Sequence, residues 1–341
     1  MNYTDEKPLL TVTVITYNQE HYVESAINGV LAQQTNFPVE ILISDDASSD
    51  GTYEILKQYE KKYPNRLSVV YRKTNVGATR NSYENYISAR GKYIASLEGD
   101  DYWLAPEYLN EGALFLETNP EYIGIAYRSK IVDEEGCEQD TSLIESQKRF
   151  WEFNKEEYTK EDFLDWKMPG QMSAIIFKNI FKDMPVEEME LLPGLDRMVG
   201  DRTIMMFLTS RGKIKCDNQM MTAYRYAIHC SDTSYMSDLM GTNHRLEEYT
   251  YMSRIEKAAH STYKGKWSLT EVKKNKLAGA VSILYKERCM KNLKVVWEIL
   301  KISDRYFSDL LFVIQVWMFR AYCKYIIKEE RRFPLREKDC R

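Results

Sequence analysis

The 341-residue sequence predicts an α/β protein with a mostly parallel, doubly wound sheet and flanking helices, followed by a C-terminal helical extension. Two observations lead to this fold class. In the N-terminal part, short runs rich in Val, Ile and Thr alternate with helical patterns, which is typical of βαβ units. Polar or acidic residues also stand directly after four predicted strands, where ligands bind in sheets of this kind.

The predicted elements follow in a regular order. We expect strands at residues 9–16, 39–44, 67–71 and 92–97, with helices at 21–33, 52–63 and 79–89 between them. Further along, the pattern predicts a helix at 106–117, with Pro106 near its first turn. Then come a strand at 122–127, a polar loop region at 133–160, a strand at 171–177, a helix at 202–210 and one or two strands within 213–226. From residue 243 onward the pattern is helical.

Composition limits the class of protein. Hydrophobic residues make up 44% and charged residues 29% of the chain, as in a soluble globular protein. The six cysteines form no CxxC pair, so we expect reduced thiols in a cytosolic protein. The N-terminal residues do not resemble a secretory signal, and no run of 18 apolar residues predicts a membrane span. The expected localisation is cytoplasmic, with the inner face of the membrane as an additional site.

Charge is unevenly distributed. Residues 245–341 contain 22 Lys and Arg against 12 Asp and Glu, whereas residues 1–244 contain 25 against 39. An acidic body therefore carries a basic tail, which suggests an anionic partner or surface for the tail. No nucleic-acid-binding module is recognisable, so we do not expect nucleic acid as that partner.

Three carboxylates follow the fourth predicted strand. Glu98, Asp100 and Asp101 stand within four residues of one another. A hard divalent cation bound through oxygen would offset their mutual repulsion. The alternative is an ordinary acidic turn after a strand, and this segment alone does not decide between them.

Three motifs carry a resemblance to a known family. Residues 12–18 (VTVITYN), 40–52 (EILISDDASSDGT) and 98–101 (EGDD) resemble, in order and spacing, the motifs of family 2 glycosyltransferases with the GT-A fold. The likeness extends over about residues 10–226. It implies a catalytic domain at 1–242, with a nucleotide-binding half at about 8–104 and an acceptor half at about 105–242, and leaves 243–341 as a basic helical region.

The resemblance assigns a nucleotide-sugar donor to the strand ends. Tyr17 would offer its ring to the base, and Asp46 would accept a hydrogen bond from a base NH. Arg80 would lie near the diphosphate, where a guanidinium can pair with phosphate oxygens. From the residues alone, Tyr17 also fits a partly buried aromatic and Asp46 a turn or N-cap residue. The full expected donor site is Thr16, Tyr17, Asp46, Arg80, Glu98 and Asp100.

The acidic cluster would act through a divalent cation, Mn²⁺ or Mg²⁺. By resemblance, Asp100 is the direct ligand and Asp101 a second candidate. His229, in a match to the family's YR-x-x-x-H segment, is a third, although a lone His is more often structural. Glu98 stands where the family usually has Asp, so whether it reaches the cation through water, contacts ribose or does neither stays open.

The general base would lie well downstream of the metal motif. By resemblance it is Asp201, in the pair Gly200-Asp201 at the start of a helix, with Asp196 as the second candidate. Without the family, an N-cap is the simpler interpretation of Asp201. A single base and no carboxylate nucleophile in the matched motifs imply one displacement with inversion at the anomeric carbon.

The predicted function is the inverting, metal-dependent transfer of a sugar from a nucleoside diphosphate donor, preferably a uridine diphosphate sugar. The acceptor would be a glycan or a lipid-linked molecule in cell-surface polysaccharide synthesis. The alternatives are an inactive glycan-binding or scaffolding protein with the same fold, and a nucleotidyltransferase, which would need a Gly-rich basic loop after the first strand. For residues 243–341, packing on the domain or on a second subunit is preferred to contact with a membrane surface.

Overall fold

The computed structural model describes residues 7–139, 155–189, 191, 200–226, 244–264 and 266–327. The chain divides into two compact units. The first comprises Met1–Phe163 and Lys167–Thr233, and the second Leu164–Trp166 and Ser234–Arg341. The two are described separately below.

Four parallel strands form one half of the sheet in the first unit. They are β1 (Leu10–Thr16), β2 (Val39–Asp45), β3 (Ser68–Tyr71) and β4 (Tyr93–Glu98), in the spatial order β3-β2-β1-β4. Helices α1 (Val23–Leu31), α2 (Thr52–Lys62) and α3 (Ala78–Ser88) connect them. Every predicted element of this half is therefore present, with ends shifted by one or two residues.

The register brings the functional strand ends to one edge. Thr16 lies opposite Asp45, and Ile15 lies opposite Glu98. Both faces of the sheet are buried: Val12, Val14 and Leu97 are fully buried aliphatic residues, and the other face of β1 carries the buried Thr11 and Thr13. Burial of these side chains fixes the register, because a one-residue slip would move each of them to the other face.

The other half of the sheet is mixed. Its strands are β5 (Tyr102–Trp103), β6 (Tyr122–Val132), β7 (Glu157–Tyr158), β8 (Ile175–Lys178) and β9 (Lys213–Arg225). Strand β8 runs antiparallel to both β4 and β6, whereas β6 and β9 are parallel. Helices α4 (Tyr108–Thr118), α5 (Lys160–Leu164), α6 (Val186–Met189) and α7 (Gly200–Thr209) complete the elements of this part of the chain. The predicted α/β class with a mostly parallel sheet is confirmed.

The strand predicted at 171–177 is only half correct. Met172–Ala174 form a 3₁₀ turn, and the strand begins at Ile175. Ser173 explains the difference: its carbonyl accepts a hydrogen bond from Trp103 Nε1 at 2.8 Å, and its Oγ accepts one from the Glu98 backbone N–H at 3.2 Å. The turn thus supports the acidic segment instead of extending the strand. Trp103 is buried there.

The second unit is helical, as predicted. Its helices are α8 (His244–Thr262), α9 (Thr270–Lys286), α10 (Met290–Ile302) and α11 (Tyr306–Tyr322), and a π-helical turn at Cys323–Ile327 follows α11. Leu277, Val281, Ile299 and Val316 form the centre of its own apolar core. Within the described part of the chain, no helix has the length and apolar content needed to cross a bilayer.

Candidate functional site

The loops after β1 and β2 are tied to each other. The Asn18 backbone N–H donates to Ser48 Oγ at 2.9 Å, and Asn18 Oδ1 accepts from the Ser49 N–H at 2.8 Å. One turn further on, Glu20 Oε2 accepts from the Gly51 N–H at 2.6 Å. Asn18 adopts a left-handed backbone with φ 51°, which Asn tolerates better than most residues. The two loops therefore form one preorganised wall at the carboxyl edge of the sheet.

Thr16 and Tyr17 differ in their surroundings. Thr16 is buried, and its Oγ1 has no hydrogen-bond partner among the described residues. Tyr17 is 44% exposed at the end of β1, so its ring face is open to a stacking partner. The assignment of both residues to a donor nucleotide stays a prediction.

Asp46 is buried, and its carboxylate braces a neighbouring loop. Its two oxygens accept from the backbone N–H groups of Val76, at 2.9 Å, and Gly77, at 2.8 Å. Gly77 has φ +89°, a conformation that favours glycine, and it lets the chain turn into α3. Each carboxylate oxygen can accept a second hydrogen bond, so contact with a base stays a prediction for Asp46.

Arginines surround the start of α3. Arg80 is half-exposed and pairs with Glu84 on its own helix at 2.6 Å. Arg72, directly after β3, pairs with the same Glu84 at 2.7 Å and lies 3.9 Å from Asp46 Oδ1. Arg72 therefore supports the Asp46 loop electrostatically. Arg72 was not among the site residues predicted from the sequence, although its position directly after a predicted strand could have indicated it.

The acidic turn joins the end of β9 through Arg225. The Arg225 backbone N–H donates to Asp101 Oδ1 at 2.9 Å, and its Nε donates to the Asp100 carbonyl at 3.0 Å. The guanidinium also lies 4.6 Å from the centre of the Tyr22 ring and 5.6 Å from that of Tyr102. The guanidinium thus makes cation–π contacts with these two rings. Its positive charge also lies near the carboxylates of Asp100 and Asp101.

A small set of oxygen atoms lacks protein partners at this turn. Asp100 Oδ1, Thr16 Oγ1 and Gln19 Oε1 are all buried without a hydrogen-bond partner among the described residues. The absence of a side chain at Gly99 makes room for two of them, because a Cβ there would overlap Gln19 Oε1 and lie 3.0 Å from Thr16 Oγ1. Buried polar atoms are nearly always satisfied, so these oxygens indicate a site that a ligand completes. Sequence analysis did not identify Gln19, which carries no distinctive pattern.

Asp201 lies in the first turn of α7 and belongs to the same acidic region. A Cβ at the preceding residue, Gly200, would lie 3.3 Å from Thr79 Cγ2, so the start of α7 packs against the start of α3. The charge of Asp201 acts on Glu98 across about a hundred residues of sequence. The structure thus brings the predicted base and the acidic turn into one electrostatic environment.

Burial and mutual repulsion raise the pKa values of these acids. Burial raises the pKa of Glu98 well above its ordinary value, and the charges of Asp100, Asp201 and Asp101 add to the effect. Burial also raises the pKa of Asp100, while the Arg225 charge opposes that rise. For Asp201, burial raises the pKa against the nearby charge of Arg202. Clustered acids with raised pKa values are typical of functional sites, although networks of structural ion pairs also shift pKa values.

The acidic turn fits a divalent cation. Among the described residues, Asp100 Oδ1 has no hydrogen-bond partner, whereas the Ser173 side chain lies near the Asp101 carboxylate and lowers its pKa. Across the described ranges, no group of three or more His, Cys, Asp or Glu side chains forms a complete ligand set. One or two carboxylates, completed by substrate phosphates, are the usual protein contribution to Mg²⁺ binding. His229 and Asp196 lie outside the described residues.

Comparisons with known proteins bear on the family and the fold. Residues 11–184 match the sequence profile described as Glycosyl transferase family 2. TarS of S. aureus (residues 1–349, crystallised with UDP-GlcNAc) has a similar fold: its TM-score is 0.62 at 17% identity, over 95% of this chain and 93% of that one.

Two curated relatives match the N-terminal part. The uncharacterized protein Rv1520 of Mycobacterium tuberculosis is 38% identical over 128 residues, or 38% of this chain and 37% of the relative. The putative teichuronic acid biosynthesis glycosyltransferase TuaG of Bacillus subtilis is 41% identical over 100 residues, or 29% of this chain and 39% of the relative. The matched regions thus span well under half of these relatives. The profile match covers half of the chain and, together with the GT-A-like fold, confirms the predicted family: this chain belongs to glycosyl transferase family 2.

Proposed function

We propose that this chain catalyses the inverting transfer of a sugar from a nucleoside diphosphate donor to a hydroxyl of a glycan or lipid-linked acceptor. Two observations support the proposal: Glu98 and Asp100 follow one another at the carboxyl end of β4, and Asp201 begins a helix whose first residue, Gly200, lies beside Thr79 at the start of α3. The charge of Asp201 also raises the pKa of Glu98. Such an arrangement offers one carboxylate for proton transfer and another for the diphosphate side of the donor.

Asp201 is proposed as the general base. The acceptor oxygen attacks the anomeric carbon while the bond from that carbon to the diphosphate oxygen breaks, and the electron pair leaves with the diphosphate. Asp201 takes the proton of the acceptor hydroxyl. Because burial raises the pKa of Asp201, its carboxylate holds that proton more strongly than an exposed aspartate would. A single displacement inverts the configuration.

The donor is proposed to lie along the wall formed by the loops after β1 and β2. The exposed Tyr17 ring would stack on the base, and Asp46 would accept from a base NH. Arg80 would reach the diphosphate by exchanging its partner Glu84 for phosphate oxygens. The complex of the structurally similar TarS with UDP-GlcNAc supports a uridine diphosphate sugar. The description of TuaG as a putative teichuronic acid biosynthesis glycosyltransferase supports an acceptor in cell-surface polysaccharide synthesis.

Asp100, with Asp101 beside it, would hold a divalent cation. Bound there, Mg²⁺ or Mn²⁺ would stabilise the negative charge that develops on the leaving diphosphate. Arg225 supplies a fixed positive charge next to the same turn and orients both acids through its backbone and its side chain. Thr16 and Gln19 would offer their free oxygens to hydroxyl groups of the donor.

The decisive test is Asp201→Asn. This variant should lose transfer by about 10²–10⁴-fold, the usual contribution of a general base. It should still bind uridine diphosphate in the presence of Mn²⁺, as measured by calorimetry. The matched control is Asp183→Asn at an exposed aspartate, which should leave both properties unchanged. Full transfer by Asp201→Asn would remove this residue as the base.

The donor can be identified separately. Uridine, guanosine and thymidine diphosphate sugars should be screened for thermal stabilisation of the protein with Mn²⁺ present. We expect uridine diphosphate sugars to stabilise it most. If none of these donors raises the melting temperature and none is hydrolysed, the enzymatic proposal fails in favour of a binding or scaffolding role.

A further inference from the structure

Helix α11 of the second unit has a fixed inward face. Val316 is buried in the core of that unit, with Val313 and Trp317 packed against the same core. Asp309 sets the orientation: it is buried, and its Oδ2 accepts from Tyr249 Oη at 3.1 Å and from Ser303 Oγ at 2.5 Å. Rotation of α11 about its axis would break these bonds, so its opposite face stays outward.

That outward face is apolar. We call it the α11 seam and define it by residues that are each at least 47% exposed: Phe307, Leu311, Ile314, Met318 and Tyr322, continued by Tyr325 and Ile326. Phe307 is 80% exposed and Met318 65%. Helices that are apolar on both faces are normally covered on both. A contiguous row of this kind marks an interaction site.

The spacing of the seam fits another helix. Phe307, Leu311, Ile314 and Met318 follow one another at intervals of four, three and four residues. This is the a/d spacing with which helices pack knobs into holes. If each of seven side chains contributes about 100 Å², two paired seams bury roughly 1,400 Å² in total, within the range of specific interfaces.

The charge pattern favours a helix over a lipid surface. Between Tyr306 and Ile327 the charged residues are Asp309, which is buried, Arg320, which donates to Ser282 Oγ at 3.0 Å, and Lys324, which is exposed. Helices that lie on anionic membranes carry Lys and Arg on the face opposite to the apolar one, whereas that face of α11 is in the protein core. The seven seam residues are themselves uncharged, and the exposed Lys324 lies at the C-terminal end of the row, so two seams that pair antiparallel keep their Lys324 side chains at opposite ends.

We propose that the α11 seam pairs with the seam of a second copy of this chain to form a two-fold symmetric dimer. This contact is independent of the proposed transfer reaction, because none of the residues in the seam belongs to the candidate site. Its loss should therefore leave Mn²⁺-dependent nucleotide binding intact.

The test is sedimentation equilibrium of the full chain over a range of micromolar concentrations, with Leu311→Glu as the variant. Leu114→Glu is a closely matched control, since Leu114 is 60% exposed on α4 and Leu311 is 61% exposed. We expect the wild type and Leu114→Glu to be dimers and Leu311→Glu to be a monomer. Thermal unfolding and nucleotide binding should show that all three proteins are folded.

Three outcomes would overturn the proposal. The wild type could be monomeric at every concentration, which would mean that the seam does not bind a second copy of this chain. Leu311→Glu could remain dimeric, which would place the interface elsewhere. The wild type could be a monomer that binds phosphatidylglycerol vesicles, and Leu311→Glu could fail to bind them. The seam would then be a membrane-contact surface.

Discussion

The backbone N–H of Arg225 donates to Asp101 Oδ1 at 2.9 Å and so joins two residues 124 positions apart in the chain. The same residue donates through Nε to the Asp100 carbonyl and through Nη1 to the Asp133 and Glu134 carbonyls. Arg225 therefore fixes the acidic turn to the end of β9 and compensates part of its charge. The geometry of the candidate cation site therefore depends on the position of β9 in the sheet as well as on the acidic turn itself.

Replacing Arg225 by Ala should weaken cation binding. The acidic turn would lose its positive neighbour and the side-chain hydrogen bond from Nε to the Asp100 carbonyl, and the two bonds that tie the guanidinium to the Asp133 and Glu134 carbonyls would also be lost. Such supporting residues typically change metal affinity by about 10- to 100-fold. Calorimetric titration of Mn²⁺ into the protein saturated with uridine diphosphate measures the effect. Arg225→Lys should recover only part of the affinity, because Lys cannot reproduce the planar, multiply bonded guanidinium.

Arg211→Ala is the control for that experiment. Arg211 pairs with Glu188 at 2.6 Å after the end of α7, away from Asp201 at the start of the same helix. Its loss should leave Mn²⁺ affinity unchanged. Equal losses of affinity in both variants would mean that Arg225 contributes only to general stability.

Gly99 should not tolerate a side chain. In Gly99→Ala the new Cβ would overlap Gln19 Oε1, and the free energy of unfolding should fall by about 1–3 kcal/mol, as for other overpacked sites. Adding Gln19→Ala removes the overlapping atom, so the double variant should recover part of the loss. Urea unfolding of the two single variants and the double variant measures this coupling. Strict additivity would show that Gln19 does not approach Gly99.

Asp162 should make the first unit sensitive to acid. Its carboxyl is buried, which by itself raises the pKa, but the Lys155 ammonium at 2.5 Å and the Thr159 N–H lower it below the ordinary value of 3.8. A carboxyl with a lowered folded-state pKa contributes its full stabilisation above pH 3.8. The contribution is lost as the pH falls through the folded-state pKa.

The measurement is the free energy of unfolding of the wild type and Asp162→Asn from neutral pH to about pH 2. The wild type should be more stable at neutral pH, and the two curves should converge in strong acid, where Asp162 is protonated in both states. Glu161→Gln, at an exposed neighbour, is the control and should not change the difference. Parallel curves at every pH would contradict the assignment.

Local signals in the sequence predicted the N-terminal part well. β-Branched runs alternating with helical patterns specified β1 to β4 and α1 to α3, because burial on both faces of a parallel sheet leaves a strong apolar signature. The strand 171–177 was partly wrong because Ser173 docks onto Trp103 and Glu98, and no periodicity in the segment itself encodes such a contact.

The sequence alone determined the fold class, the family and the identity of the acidic residues at the strand ends, since these depend on patterns within a few residues of one another. Only the tertiary structure decided which other groups lie beside these acids. It brought Arg225 to Asp100 and Asp101, joined Gln19 and Thr16 at Gly99, and placed Asp201 where its charge acts on Glu98. These relationships depend on pairing and packing between segments far apart in the chain, and pairwise contacts of that kind leave no mark in either segment by itself.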